Sequence, residues 1–161
     1  ELRTLARLEK ADAALNKTNF DICELLSRVL LHRTGDLEAK KMDVECDFAP
    51  EPCMVSADES RIEQVAVNLL DNAIEACRKA EGEKFLRLTL RIKGNMLYFY
   101  LLNSAGKKQA KIGSLFKTGK SGAHGFGLHR AEAIVRQHGG WVKYSSEDGA
   151  FTSEFLVPAV P

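Results

Sequence analysis

Two hydrophobic rhythms run along the chain, one spaced for helices and one for strands. Leu2, Leu5, Leu8, Ala11 and Leu15 recur at threes and fours between basic residues, which predicts a helix over 1–15. So short a helix cannot hold one apolar stripe by itself, so it must pack on the rest or continue a longer helix. Asn16 to Asn19 reads as a polar break. Asp21 is a candidate N-cap with Glu24 three residues on, for a helix whose buried stripe is Ile22, Leu25, Leu26, Val29 and Leu30. His32 ends that stripe as a surface histidine. Residues 42–48 alternate apolar and polar, the mark of a half-buried strand, and Pro50 and Pro52 break it before a short strand at 53–55. Asp58 then caps a long helix, with Arg61 at its N3 position.

Strands are predicted at 86–92 and 96–102, joined by the tight turn Lys93-Gly94-Asn95. The second is nearly continuous in apolar and aromatic residues, so it belongs in the centre of a sheet. It ends in Asn103-Ser104-Ala105-Gly106. Residues 107–123 have no periodicity and read as a loop. The run Gly122-Ala-His-Gly-Phe-Gly-Leu128 leads into a helix through His138, with Leu128, Ala131, Ile134 and Val135 apolar and Gly139-Gly140 as its C-cap. Two last strands, 141–145 and 150–158, form a hairpin turned at Glu147-Asp148-Gly149.

The helix over 61–77 organises the rest. A residue turns about 100° in a helix, and with Asn68 at zero, Gln64, Asn72, Glu75 and Arg61 all fall within roughly 40° of it. Ile62, Ala66, Leu69, Ala73, Ile74 and Cys77 take the opposite side. Asparagine competes with the backbone for hydrogen bonds and is a poor helix former, so two of them one turn apart call for a reason. One reason is a solvated outer face. The other is a row of uncharged oxygens and amides aimed at a ligand site, able to hold a metal ion and phosphates without burying charge. Spacing alone leaves both open.

Composition narrows the classes. With 161 residues, 45% hydrophobic and 28% charged, the chain reads as one soluble globular domain. A net charge of +1 with both signs mixed gives no footprint for nucleic acid or an anionic membrane. No apolar run reaches the roughly 18 residues of a membrane span, and the charged first ten residues are not a signal peptide. Cys23, Cys46, Cys53 and Cys77 lack metal-ligand spacing and read as reduced, mostly buried thiols, with a Cys46–Cys53 disulfide left open. His124 and His129 are five apart and do not share a helix face, so they are not a metal pair.

The string Asn-Leu-Leu-Asp-Asn-Ala-Ile-Glu-Ala (68–76) closely resembles the N box of the GHKL ATPases, most of all that of sensor histidine kinases. Phe-Asp, a two-leucine helix, an amphipathic strand, a proline break and Ala-Asp-x-x-Arg-Ile-x-Gln extend the resemblance over 20–77. It implies a Bergerat-type α/β fold: a two-layer sandwich of a mixed, roughly five-stranded sheet covered on one face by three helices. Residues 19–161 would be the ATP-binding catalytic domain and 1–18 the end of an upstream dimerisation and phosphoacceptor helix with its linker. Carried over residue by residue, Asn72 would hold Mg²⁺ and Asn68 would sit a turn away toward the phosphates of ATP. Asn103 falls where the G1 box has an aspartate that accepts from the adenine amino group, and Gly106 is its displaced glycine. Leu115-Phe116 is similar to the F box, and Lys120 is the candidate for the terminal phosphates. His124, Gly125, Phe126, Gly127 and Leu128 match the G2 box, and Thr152 is a candidate in adenine recognition.

The pattern departs from the family at Asn103, at Ala105 and at Ala123, each in a motif position. An asparagine still offers a carbonyl acceptor, weaker than a carboxylate. In gyrase-type and chaperone-type relatives the position of Asn68 is a glutamate that activates water. Asparagine there favours phosphoryl transfer to a histidine, which needs positioning and charge stabilisation rather than a strong base. The resemblance thus implies a protein histidine kinase domain using ATP and Mg²⁺, cytoplasmic, with membrane tethering of a longer protein left open. Its partners would be its own dimerisation helices in a homodimer and a cognate response regulator, and no nucleic acid. None of His32, His124, His129 and His138 has the acidic neighbour of an acceptor, so the acceptor is expected upstream of residue 1. The alternative is a degenerate GHKL nucleotide-binding or scaffold module without turnover. A serine kinase of the anti-sigma-factor type fits the fold, but residues 20–64 disfavour it.

Overall fold

Parity along the strands builds the structure. The computed structural model describes the backbone of residues 15–49, 51–109, 111–112, 115–116 and 123–160, and their side chains apart from 111–112, 115–116 and 123–126. The chain opens with β1 (Lys17–Asp21), α1 (Ile22–Leu31), α2 (Thr34–Ala39), β2 (Asp43–Phe48), β3 (Met54–Asp58) and α3 (Glu59–Cys77). It continues through β4 (Phe85–Lys93), β5 (Met96–Ser104), β6 (Lys111–Ile112) and β7 (Leu115–Phe116) to α4 (Ala123–Gln137), β8 (Trp141–Glu147) and β9 (Ala150–Pro158).

The main sheet has five strands in the order β2-β4-β5-β9-β8. β2 runs parallel to β4 and every other pair is antiparallel, so the sheet is mixed, with the apolar strand β5 at its centre as expected. Leu86, Leu88, Leu90, Leu97, Phe99, Leu101, Phe151, Phe155 and Val157 share one face and are buried under the helices. Phe99 and Phe155 stack there with ring centroids 4.4 Å apart. Opposite parity puts Arg91, Tyr98, Tyr100, Glu154 and Trp141 on the other face, where Arg91 pairs with Asp47 and the Tyr98 hydroxyl with Glu154.

In the helical layer α3 is central: it packs on α1, on α4 and on β5, while α4 also lies on β8 and β9. Both predicted caps form, Asp21 accepting from the amide of Cys23 at 2.9 Å and Asp58 from that of Arg61 at 3.4 Å. The end of α4 is held closely. Gly139 takes the left-handed φ of +78°, and a Cβ on Gly140 would lie 1.7 Å from the carbonyl oxygen of Leu156. Only a residue without a side chain lets α4 turn into β8 against β9 there.

Several expectations change. The polar break at 16–19 contains β1, paired antiparallel with β3 from Lys17↔Asp58 to Asp21↔Met54. That pairing takes in Lys17 and Thr18, on the upstream side of the boundary expected at 18/19. The strand expected at 53–55 is β3, which runs on to Asp58, so one residue ends the strand and caps α3. α2 was not anticipated; it joins the three longer helices α1, α3 and α4, with Leu37 its one buried residue. All four cysteines are free, with Cys23, Cys53 and Cys77 buried and Cys46 exposed. Residues 1–14 of the helix expected over 1–15 lie outside the described residues, and Leu15 is not helical.

Candidate functional site

The asparagine stripe of α3 is not a solvated outer face. Ser60, Glu63 and Asp71 are the exposed positions of that helix, whereas Arg61, Gln64, Asn68, Asn72 and Glu75 are all half-buried. The stripe borders α4. Asn68 donates from Nδ2 to the carbonyl of Gly127 at 3.3 Å, and a Cβ on Gly127 would sit 3.8 Å from Cγ of Asn68. The two motifs that lie 59 residues apart in sequence therefore touch. Leu128, next in the same motif, is buried, and its carbonyl accepts from the hydroxyl of Tyr144 at 3.0 Å. Burial pushes the Tyr144 phenol up, with the nearby Glu132 acting in the same direction, so it stays a neutral donor.

Gly125 and Gly127 lie inside α4 and not ahead of it, because the helix already begins at Ala123. In a helix the first four amides have no intrahelical acceptor. Those of 123–126, and not those of 125–128, are the donors available to an anion. His124, Gly125 and Phe126 are described as backbone of this turn alone, and Lys120 lies outside the described residues. Leu115-Phe116, the expected F box, forms β7 against β6.

Asn103 lies on the helix-facing side of β5 in register with Phe151, and it is fully buried. Its Nδ2 donates to the carbonyl of Ser104 at 3.0 Å, and its Oδ1 has no hydrogen-bond partner. A buried acceptor left unmet is costly, and such groups mark places where a ligand or water completes the structure. The chain beyond it is pinned to the β8–β9 turn. The amide of Ala105 donates to the Gly149 carbonyl and that of Gly149 to the Gly106 carbonyl, both at 2.9 Å, while those of Lys108 and Gln109 donate to Asp148 Oδ1 and Ser146 Oγ. Gly106 comes close to the end of α3: a Cβ there would lie 3.1 Å from both Cβ and the carbonyl oxygen of Lys79. A cavity of about 590 Å³ opens at this spot between Lys79, Gly106, Lys107 and Asp148.

Thr152 is not brought to Asn103. It pairs with Leu102, on the opposite parity, and so points from the other face of the sheet. Ser153, buried and in register with Leu101, shares the Asn103 face and was overlooked. The signal was present: Phe151, Phe155 and Val157 set the inward parity of β9, and Ser153 belongs to it while Thr152 does not.

His138, read only as the last residue of a helix, closes the other end of the α3–α4 pair. Its Nε2 accepts from the amide of Asp58 at 3.0 Å, and its Nδ1 bonds the carbonyl of Ile134 at 2.8 Å. The first contact requires a bare Nε2, so the ring is neutral with its proton on Nδ1. Burial lowers its pKa, and the charges of Lys17 and Arg61 act the same way, against the Ile134 carbonyl and Asp58.

Asn72 is half-buried, and no described residue takes its side chain as a hydrogen-bond partner. Its amide oxygen is a hard oxygen donor, able to take one position on a Mg²⁺ ion whose other positions are filled by phosphates and water. The residues present therefore fit that ion.

A family model described as a GHKL domain matches residues 59–158. The sensor protein VanS of Enterococcus faecium is 25% identical, the match covering all of this chain and 43% of VanS. The sensor protein FixL of Bradyrhizobium diazoefficiens is 30% identical over 75% of this chain and 25% of FixL. The chain thus spans less than half the length of these curated relatives. Among solved structures, the nucleotide-free catalytic domain of histidine kinase ThkA superposes with a TM-score of 0.77 at 25% identity, covering 91% of this chain and 99% of that domain. ThkA in complex with the response regulator TrrA matches with a TM-score of 0.75 at 26% identity, over 99% of this chain and 48% of that one.

Proposed function

Because this chain belongs to the GHKL domain family and has the ATP-binding catalytic domain of sensor histidine kinases, we propose that it presents Mg-ATP for transfer of the γ-phosphoryl group to a histidine. The observation that carries this is the contact of Asn68 with Gly127, which sets the two half-buried asparagines beside the opening turn of α4. Asn72 would hold Mg²⁺ by its amide oxygen. The ion, when bound, would offset charge on the phosphate oxygens and fix their arrangement. The amides of 123–126 would face the phosphates, and Lys120 would add its charge at the γ end. Asn103 Oδ1 would accept from the adenine amino group, with Ser153 a better-placed neighbour than Thr152. Leu128 and Tyr144 would keep the α4 turn in position.

In the transfer, an imidazole nitrogen bonds to phosphorus as the bond to the bridging oxygen breaks; ADP leaves and the imidazole proton goes to solvent. The acceptor would lie on a helical domain outside this chain, in a homodimer, with a cognate response regulator taking the phosphoryl group onward. That ThkA, which shares this fold, is solved in complex with the response regulator TrrA supports the last of these partners. No helix among the described residues is long and apolar enough to cross a membrane; use of ATP would put the domain on the cytoplasmic side of any longer protein. The second reading, a nucleotide-binding module without turnover, rests on Asn103 and Ala105 in the adenine region and on Ala123 in the G2-like run.

Calorimetric titration of the chain with ATP and Mg²⁺ tests the site. Saturable binding that Asn72→Ala weakens at least about tenfold, close to 1.4 kcal/mol, supports it. Absence of binding at millimolar ATP would sink it. Phosphate incorporation into a separate acceptor helix then divides the kinase from the silent module.

A further inference from the structure

Away from the nucleotide groove proposed between α3 and α4, a second concavity of about 810 Å³ opens where α2 and α3 end and β4 begins. Five cations line it, Lys40, Lys41, Arg78, Lys84 and Arg87, against two carboxylates, Asp43 and Glu83. Two of the five are occupied. Arg78 bonds Glu75 at 2.8 Å, and Arg87 lies 5.0 Å from the centre of the Phe85 ring and 3.5 Å from Glu45. Lys40, Lys41 and Lys84 have no ion pair with any described residue.

Lys40 and Lys84 are half-buried, one from the end of α2 and the other from the approach to β4. Both lysines belong to the lining of the same concavity. With no carboxylate paired to either ammonium among the described residues, the basin offers both charges to an entering anion. Glu83 and Asp43, which also line the basin, are exposed and pair with none of these three lysines. A Cβ on Gly82 would meet nothing within 4 Å, so the mouth is open, and the volume lies within the roughly 300–1,000 Å³ typical of small-ligand sites.

We propose that this basin binds a small polyanion bearing two or more phosphoryl groups, at a site separate from the nucleotide groove. Lysines serve as mobile point charges for such groups, whereas a single carboxylate matches an arginine fork better. None of the groove residues lines the basin, so the two sites separate by mutation, and the inference stands whether or not the groove binds ATP.

The test is titration of the chain with inorganic pyrophosphate and with triphosphate, followed by backbone amide shifts. Saturable shifts at 40–43 and 82–85 are expected, with affinity falling at least about tenfold in Lys40→Gln/Lys84→Gln and more steeply as salt rises. Lys40→Gln and Lys84→Gln singly should each weaken binding while leaving the unfolding midpoint in place. Asn72→Ala should leave the saturable shifts at 40–43 and 82–85 unchanged. The proposal is overturned if no saturable shift appears, if shifts gather only at 68–72 and 123–128, or if the double variant binds like the parent. Binding of an oligoglutamate peptide without binding of pyrophosphate overturns it as well.

Discussion

Asn103 shows what one atom changes. Where the resemblance implies an aspartate, Nδ2 of this asparagine donates to the Ser104 carbonyl and leaves Oδ1 as a buried acceptor. Asn103→Asp sets a carboxylate oxygen against that carbonyl in a buried place. A stability loss of about 1–3 kcal/mol is expected, read as a shift in the urea midpoint with unchanged slope. Asn103→Leu removes the donor and the unmet acceptor together, so it should cost less stability than the aspartate while abolishing the adenine contribution to ATP binding in calorimetry. A larger stability loss in the leucine variant than in the aspartate variant would contradict this placement. Asn68 and Asn72 were legible because helical spacing alone sets them on one line. The bond that orients Asn103 was not, because it depends on how a strand end leaves the sheet and meets a turn more than 40 residues on.

The elements divide by how much of their reason is local. α3, β5 and β9 could be read from period and parity, since each carries its own buried face. β1 could not: Lys17, Thr18 and Asn19 are exposed and only Phe20 is buried, so its strand form comes from pairing with β3. α2 offers Leu37 as its single buried residue, too little for a period. The cap of α3 was legible, and its worth can be stated. Asp58→Ala should cost about 1–2 kcal/mol, because the carboxylate accepts from the amides of Asn16 and Arg61 and from the hydroxyl of Ser60. Gly140→Ala should cost more, several kcal/mol, since the obstacle at 1.7 Å is backbone of β9 and not a movable side chain. Thermal unfolding of the two variants side by side checks the order.

Across the molecule, the helical layer is tied at both ends of the α3–α4 pair, by Asn68 with Gly127 at one and by His138 with Asp58 at the other. The second tie is sensitive to acid. Folded His138 has a pKa below the ordinary 6.5, for burial disfavours its charged form. The stability it contributes is therefore whole above about 6.5 and is lost as pH falls toward the folded value, because the unfolded chain takes the proton first. Asp58 follows at lower pH. Burial pushes its carboxyl up, but the bonds from Asn16, Ser60 and Arg61 outweigh that and hold it below the ordinary 3.8. Its contribution is present above that value and is lost as pH drops through the lower, folded one. Unfolding by urea from about pH 8 to about pH 5 should show wild-type stability declining through the histidine window, while His138→Gln starts lower and stays flat. The two curves should converge toward acid, since protonation removes from the parent the acceptor that the substitution alters. Parallel curves would place the titration elsewhere. Convergence would tie the acid loss to the amide of Asp58, at the start of the helix that carries both asparagines.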